Sequence, residues 1–168
     1  MKELATHDVY NETIQQSYKP MPNYQLKQAN ESDFAHLVFI QKNDGYNHAY
    51  YLTENRIERL VESGEQFYIL YVDNRFVGFA AIDAEIRIQL HFFSILESEK
   101  DQNFAEKMLE LLLEQVRSKE VQHKTIHCFT EADSPLLAFL KSQGFEEVGF
   151  YKNRYQNGKD AVIVEKKL

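Results

Sequence analysis

Residues 86–145 carry the pattern that most restricts what this chain can fold into. Apolar residues alternate over 86–92, which predicts a β-strand, and from Asn103 to Ser118 they recur every three or four positions, which predicts the longest helix. A second apolar run over 125–129 predicts another strand. A further helix is expected from Ser134 to Gly144, because proline is favoured in a first helical turn and glycine just after the end. Strands that alternate with helices predict an α/β domain.

The segments on either side complete the order of elements. A first strand is expected over 24–29, followed by a helix that Asn30 caps and a second helix that starts at Thr53 and ends at Gly64. The other predicted elements are a hairpin of strands 67–72 and 76–82 around Asp73-Asn74-Arg75, a fourth strand over 85–95 with a bulge or two buried faces at Phe92-Phe93, and two final strands, 145–155 and 161–167, around Asn157-Gly158. The predicted order is β α α β β β α β α β β.

The length of the chain indicates the number of domains, and its charge restricts the classes of binding partner. A chain of 168 residues fits one domain, which we place at 23–168 after a polar N-terminal extension over 1–22. The net charge of −7 opposes contacts with phosphate backbones, so nucleic acid is not expected as a partner. No apolar run approaches the roughly 20 residues needed to span a bilayer, and residues 1–10 lack the pattern of a secretion or transit signal.

Cysteine and histidine positions indicate neither a disulfide nor a metal centre. Cys128 is the single cysteine and lies in an apolar strand pattern, so we expect a small buried hydrophobe in a reducing, cytoplasmic setting. His123 and His127 have the spacing of metal ligands on a helix, but His127 falls in a predicted strand, where that offset separates side chains by roughly 13 Å. No metal site is therefore expected.

Short motifs in the second half resemble one family. Ser142-Gln143-Gly144-Phe145 is similar to the x-x-G-F helix exit of GNAT acetyltransferases. Lys152–Tyr155 followed by Asp160–Val164 is similar to the C-terminal motif of their ribosomal-protein N-terminal acetyltransferase branch. The loop Lys100–Ala105 stands where that family has a Q/R-x-x-G-x-G/A motif, although neither glycine is present. Together with the element order, the resemblance implies a GNAT-like α/β (α+β) fold with a mixed central sheet.

The resemblance also implies acetyl-CoA as co-substrate. The residues it assigns to acetyl-CoA are the splayed end of the fourth strand, Ile95 and Leu96, and the loop Lys100, Asp101, Gln102, Asn103, Phe104 and Ala105. Physically, a helix start suits a diphosphate because its first N–H groups are unpaired and carry partial positive charge. Asparagine is the best substitute for glycine in a left-handed conformation. Glu97, Glu99 and Asp101 add negative charge nearby, and a solvated helix start without a ligand is the alternative.

Two side chains on the fourth strand are candidates for the base that removes the acceptor's proton. The resembling family places its acceptor beside this strand, and His91 and Glu85 lie on it. Their even offset puts both on one face roughly 20 Å apart, so only one of them would act. Histidine titrates nearer neutral pH than a carboxylate does, which favours His91. For each of them a structural role is the alternative.

The acid that protonates the leaving thiolate is a second open assignment. The family often supplies it as a tyrosine at the position that Leu140 occupies here. Tyr151 and Tyr155 are the candidate replacements, and a packed or solvent-facing tyrosine is the alternative for each.

The resemblance implies transfer of an acetyl group from acetyl-CoA to an amine, which would proceed by direct attack in a ternary complex. The acidic charge, with Asp83, Glu85 and the ring-rich segment 46–51 expected around one cleft, favours a cationic small-molecule amine or a basic peptide as acceptor. The alternative is a catalytically silent GNAT fold that binds CoA or another protein. A homodimer through the C-terminal strands is compatible with either function.

Overall fold

The computed structural model describes residues 21–46, 52–84, 87–119, 124–155 and 158–168. Within these ranges the chain forms seven strands, β1 Tyr24–Gln28, β2 Gln66–Val72, β3 Arg75–Asp83, β4 Ile88–Ile95, β5 Thr125–Glu131, β6 Glu146–Tyr151 and β7 Ala161–Lys167, and four α-helices, α1 Phe34–Lys42, α2 Glu54–Glu62, α3 Phe104–Arg117 and α4 Pro135–Ser142. The predicted order of elements is confirmed. The predicted N-terminal extension lies largely outside the described residues.

The strands form one mixed sheet in the order β1-β2-β3-β4-β5-β7-β6. Every neighbouring pair is antiparallel except β4 and β5, which run parallel and are linked through α3. The final strand β7 inserts between β5 and β6, which leaves β6 at the sheet edge. Val148, Phe150 and Tyr151 of β6 are exposed. This is one of the strands through which the sequence predicts a homodimer, and dimerisation stays a prediction.

The sheet separates two apolar layers. One face of β2 and β3 packs on α1 and α2 around Leu37, Ile57, Phe67 and Phe79. The other face, together with β5, packs on α3 and α4, and the apolar stripe of α3 that predicted the longest helix is buried there. We call these the α1/α2 face and the α3/α4 face. Cys128 is buried on the α3/α4 face, and this burial raises the pKa of its thiol to about 12.

Local rules place the ends of most elements. Asn30 forms a capping box with Asp33, which starts α1 through one turn of 3-10 helix, and the Thr53 and Ser134 side chains accept N–H bonds at the starts of α2 and α4. Asp73 and Asn74 both have positive φ in the β2–β3 hairpin, as their sequence predicts. None of the helices in the described ranges is long and apolar enough to cross a membrane.

Strand β4 contains one extra residue. Ala81 pairs with Phe92 and Ile82 pairs with Leu90, so His91 has no partner on β3. This bulge lies one position before the predicted Phe92-Phe93 step. Phe92 is buried on the α1/α2 face and Phe93 on the α3/α4 face, which confirms the other predicted alternative of a strand buried on both sides. The bulge changes which β4 side chains face each layer.

Gly78 lets β3 approach the end of β4. A Cβ added there would lie 2.6 Å from the backbone oxygen of Ser94 and 2.5 Å from Ile95 Cδ1. We predict that Gly78→Ala lowers the free energy of unfolding by about 1–3 kcal/mol, because the backbone must move to admit the methyl group. Gly149→Ala is the matched control, since a Cβ there meets only Ile163 side-chain atoms at 3.4 Å or more. Urea unfolding of the two variants gives the comparison, and equal midpoints would contradict the prediction.

Candidate active site

A gap opens between β4 and β5 directly after the bulge. The two strands pair only over Ile88–Leu90 with Ile126–Cys128, and then diverge. From this point to Ile95, no strand of the described ranges lies beside the edge of β4 that faces β5. The bulged residue His91 therefore marks the bottom of the gap.

The start of α3 lies beyond the open end of this gap. Asn103 immediately precedes the helix with φ of 56°, in the left-handed conformation that the sequence predicts for it. The Asn103 side chain makes no capping hydrogen bond to the helix. The first backbone N–H groups of α3 thus keep their capacity to bind an anion. Phe104 and Ala105 are buried, and their side chains pack the start of the helix into the core of the α3/α4 face.

Charged side chains around the loop already pair with one another. The buried Glu99 accepts hydrogen bonds from Arg75 at 3.0 Å and from the Gln102 side chain at 3.1 Å. The exposed Lys100 donates to Glu97, and this hydrogen bond raises the pKa of Lys100 above its ordinary value. The cation of the predicted loop is therefore already bound to a carboxylate.

A segment of the chain itself lies along the open edge of β4. We call residues 43–46 the strap. Gly45 N–H donates to the Ile95 carbonyl and Glu97 N–H donates to the Asn43 carbonyl, both at 2.8 Å. The Asp44 carboxylate accepts from Ile95 N–H at 3.2 Å. The strap thus takes up backbone groups of β4 that β5 leaves unpaired, including those of Ile95, which the sequence assigns to acetyl-CoA. The N–H of Leu96, also assigned to acetyl-CoA, points to β3 and bonds to Val77.

The aromatic end of the strap packs on the α3/α4 face. The Tyr46 ring lies 6.1 Å from that of Phe93 and 5.7 Å from that of Phe139 on α4. Burial, reinforced by the Glu106 and Asp44 carboxylates, raises the pKa of Tyr46. The strap therefore begins directly after α1, which packs on the α1/α2 face, and ends with the Tyr46 ring packed on the α3/α4 face.

A cavity of about 720 Å³ lies against the strap. Its walls are the strap, the loop before α3 and the start of α4, and the lining residues are Lys42, Asn43, Asp44, Gly45, Tyr46, Glu97, Lys100, Asp101 and Pro135. The cavity reaches Lys100 and Asp101, two of the residues assigned to acetyl-CoA. It also shows that the loop before α3, the strap and α4 border one site.

His91 forms a hydrogen-bonded pair that the sequence did not predict. Its Nδ1 lies 2.5 Å from Oε2 of Glu65, whose side chain is only 4% exposed, whereas the His91 side chain is 30% exposed. Glu65 follows Gly64 at the turn between α2 and β2. No local pattern marks it, because its partner comes from a strand 26 residues later.

Of the other candidate catalytic residues, the structure describes Tyr151, and it does not place Tyr151 beside His91. Glu85 lies outside the described residues. Tyr151 is 55% exposed on β6, which is separated from β4 by β7 and β5 in the sheet, and Arg154 lies over its ring. Leu140 is fully buried, so the position of the family's tyrosine faces the core here. Tyr151 as acid stays a prediction.

The predicted acceptor cleft needs a correction. Asp83 pairs with Gln89 at the start of β4, whereas the strap with Tyr46 pairs at its end, about 20 Å along the strand. Tyr46 also packs on the α3/α4 face. Asp83 and Tyr46 therefore do not border one cleft. Residues 47–51 of the ring-rich segment lie outside the described residues.

Comparisons with known proteins identify the family. A model of the "Acetyltransferase (GNAT) domain" matches residues 39–168. The chain therefore belongs to the GNAT acetyltransferase family, as the motifs predicted. No curated protein sequence matches significantly.

Solved structures confirm the fold. The ribosomal-protein-S18-alanine N-acetyltransferase from Escherichia coli superposes with a TM-score of 0.74 at 18% identity, over 86% of this chain and 94% of its own. Naa50 of Arabidopsis thaliana, solved with a bisubstrate analogue, superposes with a TM-score of 0.70 at 15% identity, over 86% of this chain and 99% of its own. The spermidine/spermine N-acetyltransferase SpeG of Vibrio cholerae, solved in mutant forms, superposes with a TM-score of 0.68 at 12% identity, over 86% of this chain and 93% of its own.

Asn103 allows a test of the helix start. We predict that Asn103→Ala lowers the free energy of unfolding by about 1 kcal/mol, because alanine tolerates the left-handed conformation less well than asparagine. It should also reduce the rise in melting temperature that acetyl-CoA produces, since the loop amides lose their orientation. Thermal unfolding with and without acetyl-CoA measures both effects.

Asn153 is the matched control for Asn103. It has φ of 51° in the connection between β6 and β7, away from the loop. Asn153→Ala should lose similar stability and keep the full acetyl-CoA shift, and Asn103→Gly should restore it. Equal loss of the shift in both alanine variants would refute a specific role for the α3 start.

Proposed function

We propose that this protein transfers an acetyl group from acetyl-CoA to an amine. The observation that carries the proposal is the uncapped start of α3, opened by left-handed Asn103 beside the gap between β4 and β5. Membership of the GNAT family supports it. The fit of acetyl-CoA is good at the helix start, where backbone amides would hold the diphosphate through Asn103, Phe104 and Ala105.

The proposed base is His91. It lies at the bottom of the gap, partly exposed, and imidazole changes charge near neutral pH. Acetyl-CoA supplies a thioester carbonyl: the amine lone pair forms the C–N bond, and the C–S bond breaks with its electron pair on sulfur. His91 takes the proton that the amine loses. That proton, or one from solvent, then neutralises the thiolate, since Leu140 offers none.

A cationic amine is the proposed acceptor class. Three matched structures carry names that specify a ribosomal-protein alanine, a peptide-bearing bisubstrate analogue and spermidine or spermine. All of these acceptors react through an amine. The net charge of −7 favours cations among them, because a negative field concentrates positive ligands near the protein.

A silent GNAT fold is the second candidate, and the strap favours it. Ile95 and Glu97 already bond to Asn43, Asp44 and Gly45, and the cation of the loop, Lys100, is already bound to Glu97. In this reading the strap replaces a ligand along β4. The two candidates differ in one observable, since an enzyme must admit acetyl-CoA and turn it over.

We predict measurable turnover with polyamines or basic N-terminal peptides. Thiol release from acetyl-CoA is followed with a panel of cationic, neutral and anionic amines, at increasing salt concentration. The cationic acceptors should give the highest kcat/KM, and this value should fall with salt because screening acts over roughly 10 Å at 0.1 M.

Each outcome of the panel has a defined meaning. Absence of turnover with every acceptor, whether or not acetyl-CoA binds, would favour the silent fold. A best acceptor that is anionic, or a rate independent of salt, would contradict the cationic class while leaving acetyl transfer in place.

A further inference from the structure

We infer that Glu65 is a positioning residue for acetyl transfer, acting by orienting His91; this inference rests on the proposed function. The two residues come from different parts of the chain, and the β4 bulge brings His91 to Glu65 on the α1/α2 face. An ionised carboxylate has no proton to give. His91 Nδ1 therefore carries the proton and donates it to Glu65 Oε2 at 2.5 Å.

This hydrogen bond fixes which imidazole nitrogen can act as a base. With Nδ1 protonated, the lone pair of neutral His91 lies on Nε2. Nε2 makes no hydrogen bond to any residue that the structure describes, and the ring is partly exposed. A carboxylate behind Nδ1 also stabilises the imidazolium that forms when Nε2 takes a proton.

The burial of Glu65 is costly for the fold. Its Oε1 has no hydrogen-bond partner among the described residues, in a side chain 4% exposed. Burying a carboxylate with one oxygen unsatisfied costs free energy, and among the described residues only His91 bonds to it. A catalytic role for His91, its single partner, would explain why the fold contains a buried carboxylate at Glu65.

A second histidine–carboxylate pair on the same sheet provides the control. His127 Nδ1 lies 3.6 Å from Glu165 Oε2, and both side chains are 30% exposed. At this distance and exposure the pair is a surface contact that water screens. It shares residue types with the Glu65–His91 pair but lacks its burial and short hydrogen bond.

The kinetic test compares Glu65→Gln with Glu165→Gln, using acetyl-CoA and the best acceptor of the panel. Glutamine keeps the volume of glutamate, so the fold should survive, which thermal unfolding checks. We expect Glu65→Gln to lower kcat by about tenfold or more with KM for acetyl-CoA unchanged, because proton transfer is worth about 10²–10⁴-fold. Glu165→Gln should keep the wild-type kcat. Adding Glu65→Gln to His91→Gln should cost nothing further, since the two residues act as a unit.

A spectroscopic test does not depend on turnover. The imidazole ¹⁵N signals of His91, identified by their loss in His91→Gln, report which nitrogen carries the proton. We expect Nδ1–H and an unprotonated Nε2 in the neutral ring of the wild-type chain. In Glu65→Gln the proton should no longer be confined to Nδ1.

The outcomes separate this inference from the proposed function. A neutral wild-type His91 with its proton on Nε2, or an active enzyme whose kcat is equally insensitive to Glu65→Gln and Glu165→Gln, would overturn the role of Glu65 alone. A wild-type chain that shows the Nδ1–H form but transfers no acetyl group would overturn the proposed function, and the role of Glu65 with it.

Discussion

The extra residue in β4 is the constraint on which the rest of the site depends. Because His91 has no partner on β3, the alternation of β4 side chains changes phase, and Phe92 and Phe93 fill opposite layers. At the same point β5 stops pairing with β4. One bulge therefore opens the gap, places a histidine at its bottom and directs that histidine to the buried Glu65.

Backbone N–H and C=O groups on the open edge of β4 need hydrogen-bond partners, and either the strap or a ligand in the gap can provide them. In this structure the strap provides them at Ile95 and Glu97. An extended ligand lying in the gap would have to share or replace these bonds. The start of α3 presents the opposite situation, since Asn103 takes a left-handed conformation there and its side chain makes no capping hydrogen bond. Acetyl-CoA can therefore bind only if the free energy that it gains from the amides at the start of α3 exceeds the free energy lost when the strap gives up its hydrogen bonds to β4.

The elements that could be predicted from the sequence follow local rules. Asn30, Thr53 and Ser134 cap helices, Asp73-Asn74 turns a hairpin, and Asn103 takes a positive φ, because each depends on its own side chain and backbone. The order of elements and the family motifs were likewise readable along the chain.

The contacts that could not be predicted join distant segments. Glu65 meets His91 across two strands, and the strap meets β4 about 50 positions away in sequence. The prediction that Asp83 and Tyr46 border one cleft was wrong for the same reason. Sequence proximity to the site gave no information on which face and which end of β4 each residue would reach.

The most direct measurement of the central claim is an acetyl-CoA titration followed in the ¹H–¹⁵N amide spectrum. The account predicts that the amide signals of Asn103, Phe104 and Ala105 shift first and reach saturation, because these amides bind the diphosphate. It also predicts that the Ile95 and Gly45 signals change together as the strap yields its place on β4. Unchanged signals at all five positions under millimolar acetyl-CoA, or changes confined to other parts of the chain, would contradict it.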